Sequence, residues 1–173
     1  MHRRIKFKQA IPLIILFILA IVIASMTIGK DIYYGTAESI SSFAIVNFSG
    51  YLFFLVMPVE LAFVYYLHTN LNIYLLNIVA IGTAIGAQMI DYLIGRFFSK
   101  RIINRLIGRR RYNKAEAEIR KYGNIAIFVF NLLPLSSPVI LLAAGMLKHR
   151  LNEALLYSLL GLFLKYAFMS LIF

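Results

Sequence analysis

The chain has 173 residues, 61% of them apolar, and a mean hydropathy of +0.81. A soluble domain of this length cannot bury so much hydrocarbon surface, so composition excludes an ordinary water-soluble fold and makes a bilayer the expected solvent. The absence of cysteine excludes disulfides and thiolate metal sites; the net charge of +11 sits beside apolar runs, where it marks cytoplasmic loops and anionic headgroups and argues against nucleic acid as a partner.

Five apolar segments occur in chain order, all within one membrane domain over 1–173. Residues 11–28 come after the basic start "MHRRIKFK" and are expected to form a retained transmembrane helix. Their apolar run exceeds a signal-peptide core, and "SMTIGKD" is a poor cleavage site. Residues 43–67 hold Pro58 and Glu60 inside "FLVMPVELAFVYYL". Residues 71–98 form a transmembrane helix with Gly82 and Gly86 in "GTAIG", then Asp91, Gly95 and Arg96. Residues 99–124 are basic, and "YNKAEAEIRKYG" has helical spacing suited to the interface. Residues 125–147 carry Asn131, Pro134, Ser136, Ser137, Pro138 and Gly145, and 152–173 form the last transmembrane helix.

Charge decides how these segments are threaded. Ten of the 18 Lys and Arg fall between Arg96 and Lys121, and Lys148 and Arg150 separate the last two segments. If all five segments crossed from a cytoplasmic N-terminus, the most basic loop would lie outside, against the positive-inside rule. If 43–67 and 125–147 each enter and leave on one side, every basic segment faces the cytoplasm. Those two segments also contain Pro58, Pro134 and Pro138. Proline breaks a helix, and a break at membrane depth survives where protein or a water-filled cavity satisfies the freed backbone groups. Two re-entrant helical hairpins are therefore expected.

An offset of 80 residues superposes the two segments and their C-terminal flanks: Pro58-Val59 on Pro138-Val139, and Leu71-Asn72 on Leu151-Asn152. One crossing separates the copies, so their orientations are opposite. The expected fold is all-α and integral to the membrane, an N-terminal transmembrane helix followed by inverted repeats, each a re-entrant hairpin plus a transmembrane helix. Secondary transporters use this architecture, with sites near the midplane.

Glu60 is the leading candidate, because a mid-membrane carboxylate costs about 2.5–3.5 kcal/mol on insertion scales and is functional by default. It is read as a proton acceptor, with capping of freed backbone N–H groups as the plain alternative. Asp91 is divided between function and pairing, for which Arg96 is one partner. Gly82, Gly86, Gly95 and Gly145 are assigned to close helix packing. The basic loop is expected to set topology and hold anionic lipid, Arg96 with it. No metal site and no bound cofactor are expected; a proton gradient is the one energy source considered.

"MPVE", then "DYLIGRFFSKR", then "YGNIAIFVFNLLPLSSPVILLAAGMLKHRLNEALLYSLLG" resembles the DedA family, whose membrane domain is shared with the VTT (SNARE-associated Golgi protein) proteins. The resemblance runs from about Phe54 to the C-terminus. The family's proline-x-glutamate corresponds to Pro58 and Glu60, its tyrosine and glycine-arginine to Tyr92, Gly95 and Arg96, and its later proline and Ala-Gly to Pro134 and Ala144-Gly145. Two departures stand out. The family's aspartate falls on Gln88, with Asp91 three residues on, and its two hairpin arginines fall on Asn131 and Ser137. Asn131, Ser136 and Ser137 offer hydrogen bonds there without charge.

The resemblance implies movement of lipids between leaflets, of polyprenyl phosphate or phospholipid, often dependent on proton-motive force. The expected function is thus a lipid transporter or scramblase, proton-coupled through Glu60, in the plasma membrane of a prokaryote with a cytoplasmic N-terminus. Membrane lipids are the expected partners; homo-oligomerisation is left open. A proton- or ion-coupled small-solute transporter on the same fold is the alternative. A membrane enzyme lacks a gathered nucleophile, base or metal set, and a scaffold leaves Glu60 and the prolines unexplained.

Overall fold

The computed structural model describes residues 39–52, 59–69, 71–97, 109–133 and 137–173. The helix expected over 11–28 lies outside them, as do Pro58, Pro134 and Ser136; the side chains of Ser137 and Pro138 are likewise not described. The described residues are all-helical: α1 (Ile40–Tyr51), α2 (Val59–Leu67), α3 (Ile73–Phe97), α4 (Arg109–Tyr122), α5 (Asn124–Leu132), α6 (Ser137–Met146) and α7 (Leu151–Ile172).

Length separates these helices into two kinds. At 1.5 Å per residue, α3 and α7 reach about 37 and 33 Å, enough to cross a hydrocarbon core of about 30 Å. Both are apolar enough to do so. The helices α1, α2, α5 and α6 have 9 to 12 residues and reach half that depth. They form two pairs, α1 with α2 and α5 with α6, in the two proline-containing segments.

Local chemistry places several boundaries. The Ser42 amide donates to the Ser39 hydroxyl at 3.2 Å, capping α1. The Asn72 side chain accepts from the amides of Tyr74 and Leu75, capping α3. Its counterpart at the 80-residue offset, Asn152, lies inside α7. Gly123, at φ +58°, makes the turn from α4 to α5. After α6 the Lys148 amide bonds to Gly145 O and the His149 amide to Ala144 O, a Schellman ending with Lys148 in the left-handed region at φ +55°.

The packing repeats with the helix order. The first member of each pair lies along the long helix that comes after it, α1 on α3 and α5 on α7, while the second touches that helix lightly. Instead, α6 packs along α3, and α4 lies across α6 through Tyr112, Ala115 and Ile119. Burial, reinforced by neighbouring Glu116, pushes the Tyr112 phenol up to about 12. The long helices are antiparallel: Asn77, early in α3, donates to Ser170, late in α7, at 2.8 Å, whereas Gln88 bonds with Ser158, in the first half of α7. Their outer faces expose Ile78, Leu93, Phe163, Phe168 and other large apolar side chains, a surface suited to lipid.

Glycine sets how closely the helices approach. A Cβ on Gly95 would lie 2.0 Å from the Leu142 carbonyl oxygen, and one on Gly145 2.0 Å from that of Tyr92, so α3 and α6 cross backbone to backbone. Gly161 does the same between α7 and α5, where a Cβ would lie 2.5 Å from Phe128 O. Gly86 faces Phe48 at an ordinary 3.6 Å, and no described atom lies within 4 Å of a Cβ on Gly82. The "GTAIG" motif thus has no tight neighbour among the described residues. We expect Gly95→Ala or Gly145→Ala to cost about 1–3 kcal/mol as an overpacked contact, and Gly82→Ala to be neutral. Thermal unfolding of the three detergent-purified variants measures the difference; equal melting temperatures for Gly95→Ala and Gly82→Ala would refute the close crossing.

Candidate functional site

Glu60 is the second residue of α2, immediately after the break in the first helix pair. Its carboxylate meets the ammonium of Lys165, from the middle of α7, at 3.1 Å. The lysine side chain is 3% exposed and the glutamate 14%. Two charges withdrawn from water are costly unless they are paired and further hydrogen-bonded. Here the lysine has more than its carboxylate. Nζ donates to the Tyr51 hydroxyl at 2.6 Å and stands 5.1 Å from the ring centroids of both Tyr51 and Tyr166. Tyr51 is the last residue of α1 and Glu60 lies in the first turn of α2, so one lysine on α7 ties down both arms of the first pair.

Behind the lysine the hydrogen bonds form a directed chain. Ala80 O can only accept, so the Asn47 amide nitrogen must be the group 2.9 Å from it, and the same nitrogen donates to Thr83 Oγ1 at 2.8 Å. Asn47 Oδ1 therefore faces Tyr166, whose hydroxyl donates to it at 3.2 Å. The Tyr51 and Tyr166 hydroxyls are 3.0 Å apart, and with the Tyr166 proton committed, Tyr51 donates to Tyr166. The Tyr51 oxygen is left as the acceptor for Lys165. Phe63 packs against the Tyr166 ring in a tilted arrangement, with centroids 4.6 Å apart, and Phe43 packs against Phe63 in turn.

A second buried polar cluster joins α3, α5 and α7. Ser158 donates to Gln88 Oε1, Gln88 Nε2 donates to Asn131 Oδ1 at 2.5 Å, and Asn131 Nδ2 donates to Ile127 O at 2.9 Å. All three side chains are fully buried. Gln88 is the position where the family resemblance calls for an aspartate, and Asn131 is one of the two where it calls for an arginine, Ser137 being the other. In this chain the two side-chain amides bond to each other, and the Gln88–Asn131–Ser158 cluster is uncharged. By the 80-residue offset Asn131 is the counterpart of Tyr51. Each lies in the last turn of the first helix of its pair and reaches the other long helix: Tyr51 meets α7, and Asn131 meets α3.

The remaining candidates are dispersed. Asp91 is buried one turn beyond Gln88 on α3. Arg96 is exposed and donates to the Tyr92 hydroxyl at 3.1 Å, while Tyr92 donates to the His149 carbonyl. His149 contacts Asn124, which donates to Glu153 at 3.0 Å, a polar lock between α5 and the start of α7. Ser137 begins α6. Among the described residues no group of three His, Asp or Glu side chains gathers to hold a metal. The residue that sequence reasoning passed over is Lys165. Its signal was plain: a single charge inside the last apolar run.

The VTT domain family model matches residues 40–173. Neither curated proteins nor solved structures give a match.

Removing one member of a buried ion pair strands the other, at about 3–5 kcal/mol, whereas replacing both by apolar residues is often neutral. Lys165→Met alone is therefore expected to lower the unfolding midpoint strongly, and Glu60→Met with Lys165→Met to restore it. A double variant no more stable than Lys165→Met would show that the pair is not what the lysine contributes.

Proposed function

The chain belongs to the VTT-domain family, the DedA family, and from that membership we propose that it moves lipids between the leaflets of its membrane, with Glu60 as the proton-accepting group. The observation that carries the reading is the Glu60–Lys165 pair at the break of the first helix pair. A carboxylate and an ammonium at membrane depth mark a pathway or a relay by default. Here the two partners belong to different halves of the repeat, so opening the pair would release α2 from α7.

In this reading each short helix pair is a re-entrant hairpin, and the two halves are inverted repeats. Three features support it. The four short helices reach only half the hydrocarbon thickness, the long helices run antiparallel, and the same packing order recurs at the 80-residue offset. The basic residues on one side of this arrangement favour a cytoplasmic N-terminus and a large basic cytoplasmic segment that gathers anionic lipid. A prokaryotic plasma membrane is the setting we propose.

One observation favours a second reading, a proton- or ion-coupled transporter of small solutes. The Gln88–Asn131–Ser158 cluster is uncharged and its amides are already engaged. It offers a headgroup less than an arginine pair would.

Lipid translocation in proteoliposomes separates the readings. We expect wild type to move a fluorescent phospholipid or a polyprenyl phosphate faster under an inward proton gradient. The Glu60→Met/Lys165→Met variant, which leaves neither charge stranded, should lose at least about tenfold of that rate, equal to about 1.4 kcal/mol. Full activity in the double variant would reduce the pair to a structural tie, and no movement of either lipid by folded wild type would favour the small-solute reading.

A further inference from the structure

We propose that Lys165 is the anion-binding group of this site and that the Glu60 carboxylate is its resident competitor, so that a phosphodiester anion enters only as Glu60 takes a proton. The lipid source of that anion rests on the lipid-transport reading; the anion site itself does not.

Lys165 is the buried cation among the described residues. Its surroundings are arranged to hold an ammonium with or without the carboxylate. The directed chain that starts at Ala80 O leaves the Tyr51 oxygen able only to accept from Nζ, and two ring faces stand 5.1 Å away. Glu60 has the opposite character. It pairs with Lys165 and is the more exposed member, at 14% against 3%. An anion arriving from the Glu60 side meets the carboxylate first and must displace it.

One ammonium in a poorly solvated site balances one anion. When Glu60 binds a proton from solvent it becomes neutral, and the incoming phosphodiester takes over the charge-assisted bond to Nζ. One proton and one anion enter together, and the net charge of the site is unchanged. No covalent bond is made or broken apart from that to the proton. Among the described residues, α1 and α7 face the pair with the phenols of Tyr51 and Tyr166. From α2 the neighbour is Phe63, and α3 contributes the Ala80 carbonyl and the Thr83 hydroxyl further along the chain. Of these groups, Glu60 is thus the one whose protonation couples to anion binding.

The test is an equilibrium titration of the full chain in uncharged detergent, from neutral to mildly acid pH, with three probes whose charge does not change with pH there. Dimethyl phosphate is the headgroup anion alone, dihexanoylphosphatidylglycerol is an anionic lipid, and dihexanoylphosphatidylcholine carries the same phosphodiester with no net charge. Near neutral pH, Glu60→Gln should bind the anionic probes at least about tenfold more tightly than wild type. Wild type should close that gap as the pH falls, and Glu60→Gln/Lys165→Met should lose the gain. The choline lipid should show none of these effects. If dimethyl phosphate shows the pattern and the glycerol lipid does not, the anion site stands and the lipid-transport reading fails. Glu60→Gln binding no more tightly than wild type, or Glu60→Gln/Lys165→Met binding as tightly as Glu60→Gln, overturns the proposal. Should Glu60→Gln not survive purification, the wild-type profile decides: affinity for dimethyl phosphate that does not rise towards acid pH overturns it.

Discussion

A lysine ammonium in the middle of an apolar helix constrains everything around it. Left alone there, Lys165 would make α7 unable to sit at membrane depth, because burial of an unpaired charge costs several kcal/mol. The fold answers by bringing to Nζ a carboxylate from α2, a hydroxyl from α1 and two ring faces. Those contacts in turn fix the position of the broken helix pair, since its two arms have α7 as a common anchor. Short helices of 12 and 9 residues have too few hydrogen bonds to be stable alone, so tertiary anchoring is what keeps them.

The second half solves the corresponding problem without charge. At Asn131, the counterpart of Tyr51, an amide from α3 and a hydroxyl from α7 complete the polar contacts, and Gly161 lets α7 approach closely enough for them to form. The two halves therefore share a plan and differ in chemistry: an ion pair in one, an amide pair in the other. That asymmetry concentrates the site's charge on the first pair. The crossing of α3 and α6 at Gly95 and Gly145 holds the halves against each other.

Much of this was legible in the sequence, for identifiable reasons. Segment lengths and the distribution of Lys and Arg located the two broken segments, because hydropathy and loop charge are local properties. Pro58 on Pro138 and Leu71-Asn72 on Leu151-Asn152 gave an offset of 80 residues, and α3 and α7 begin within two residues of each other at that offset. Glu60 stood out because a carboxylate there has no local excuse. Its partner did not, although Lys165 is as isolated in its own apolar run. Attention to loop charge counted Lys148 and Arg150 and passed over a lysine that is in no loop. The tyrosine and asparagine chain was illegible, since its links join residues over a hundred positions apart, such as Tyr51 with Tyr166. Of the glycines assigned to close packing from the sequence, Gly95 and Gly145 are where α3 and α6 cross, and Gly86 of "GTAIG" meets Phe48 at an ordinary distance.

In the mechanism we propose, the Glu60–Lys165 pair opens by protonation of the carboxylate when an anionic substrate group arrives. Infrared difference spectroscopy of the membrane-reconstituted chain observes that proton directly. Perfusing dihexanoylphosphatidylglycerol over wild type at constant pH should produce a protonated-carboxyl band that is missing from Glu60→Gln. A spectrum without that band, or one in which the band persists in Glu60→Gln, would contradict the account.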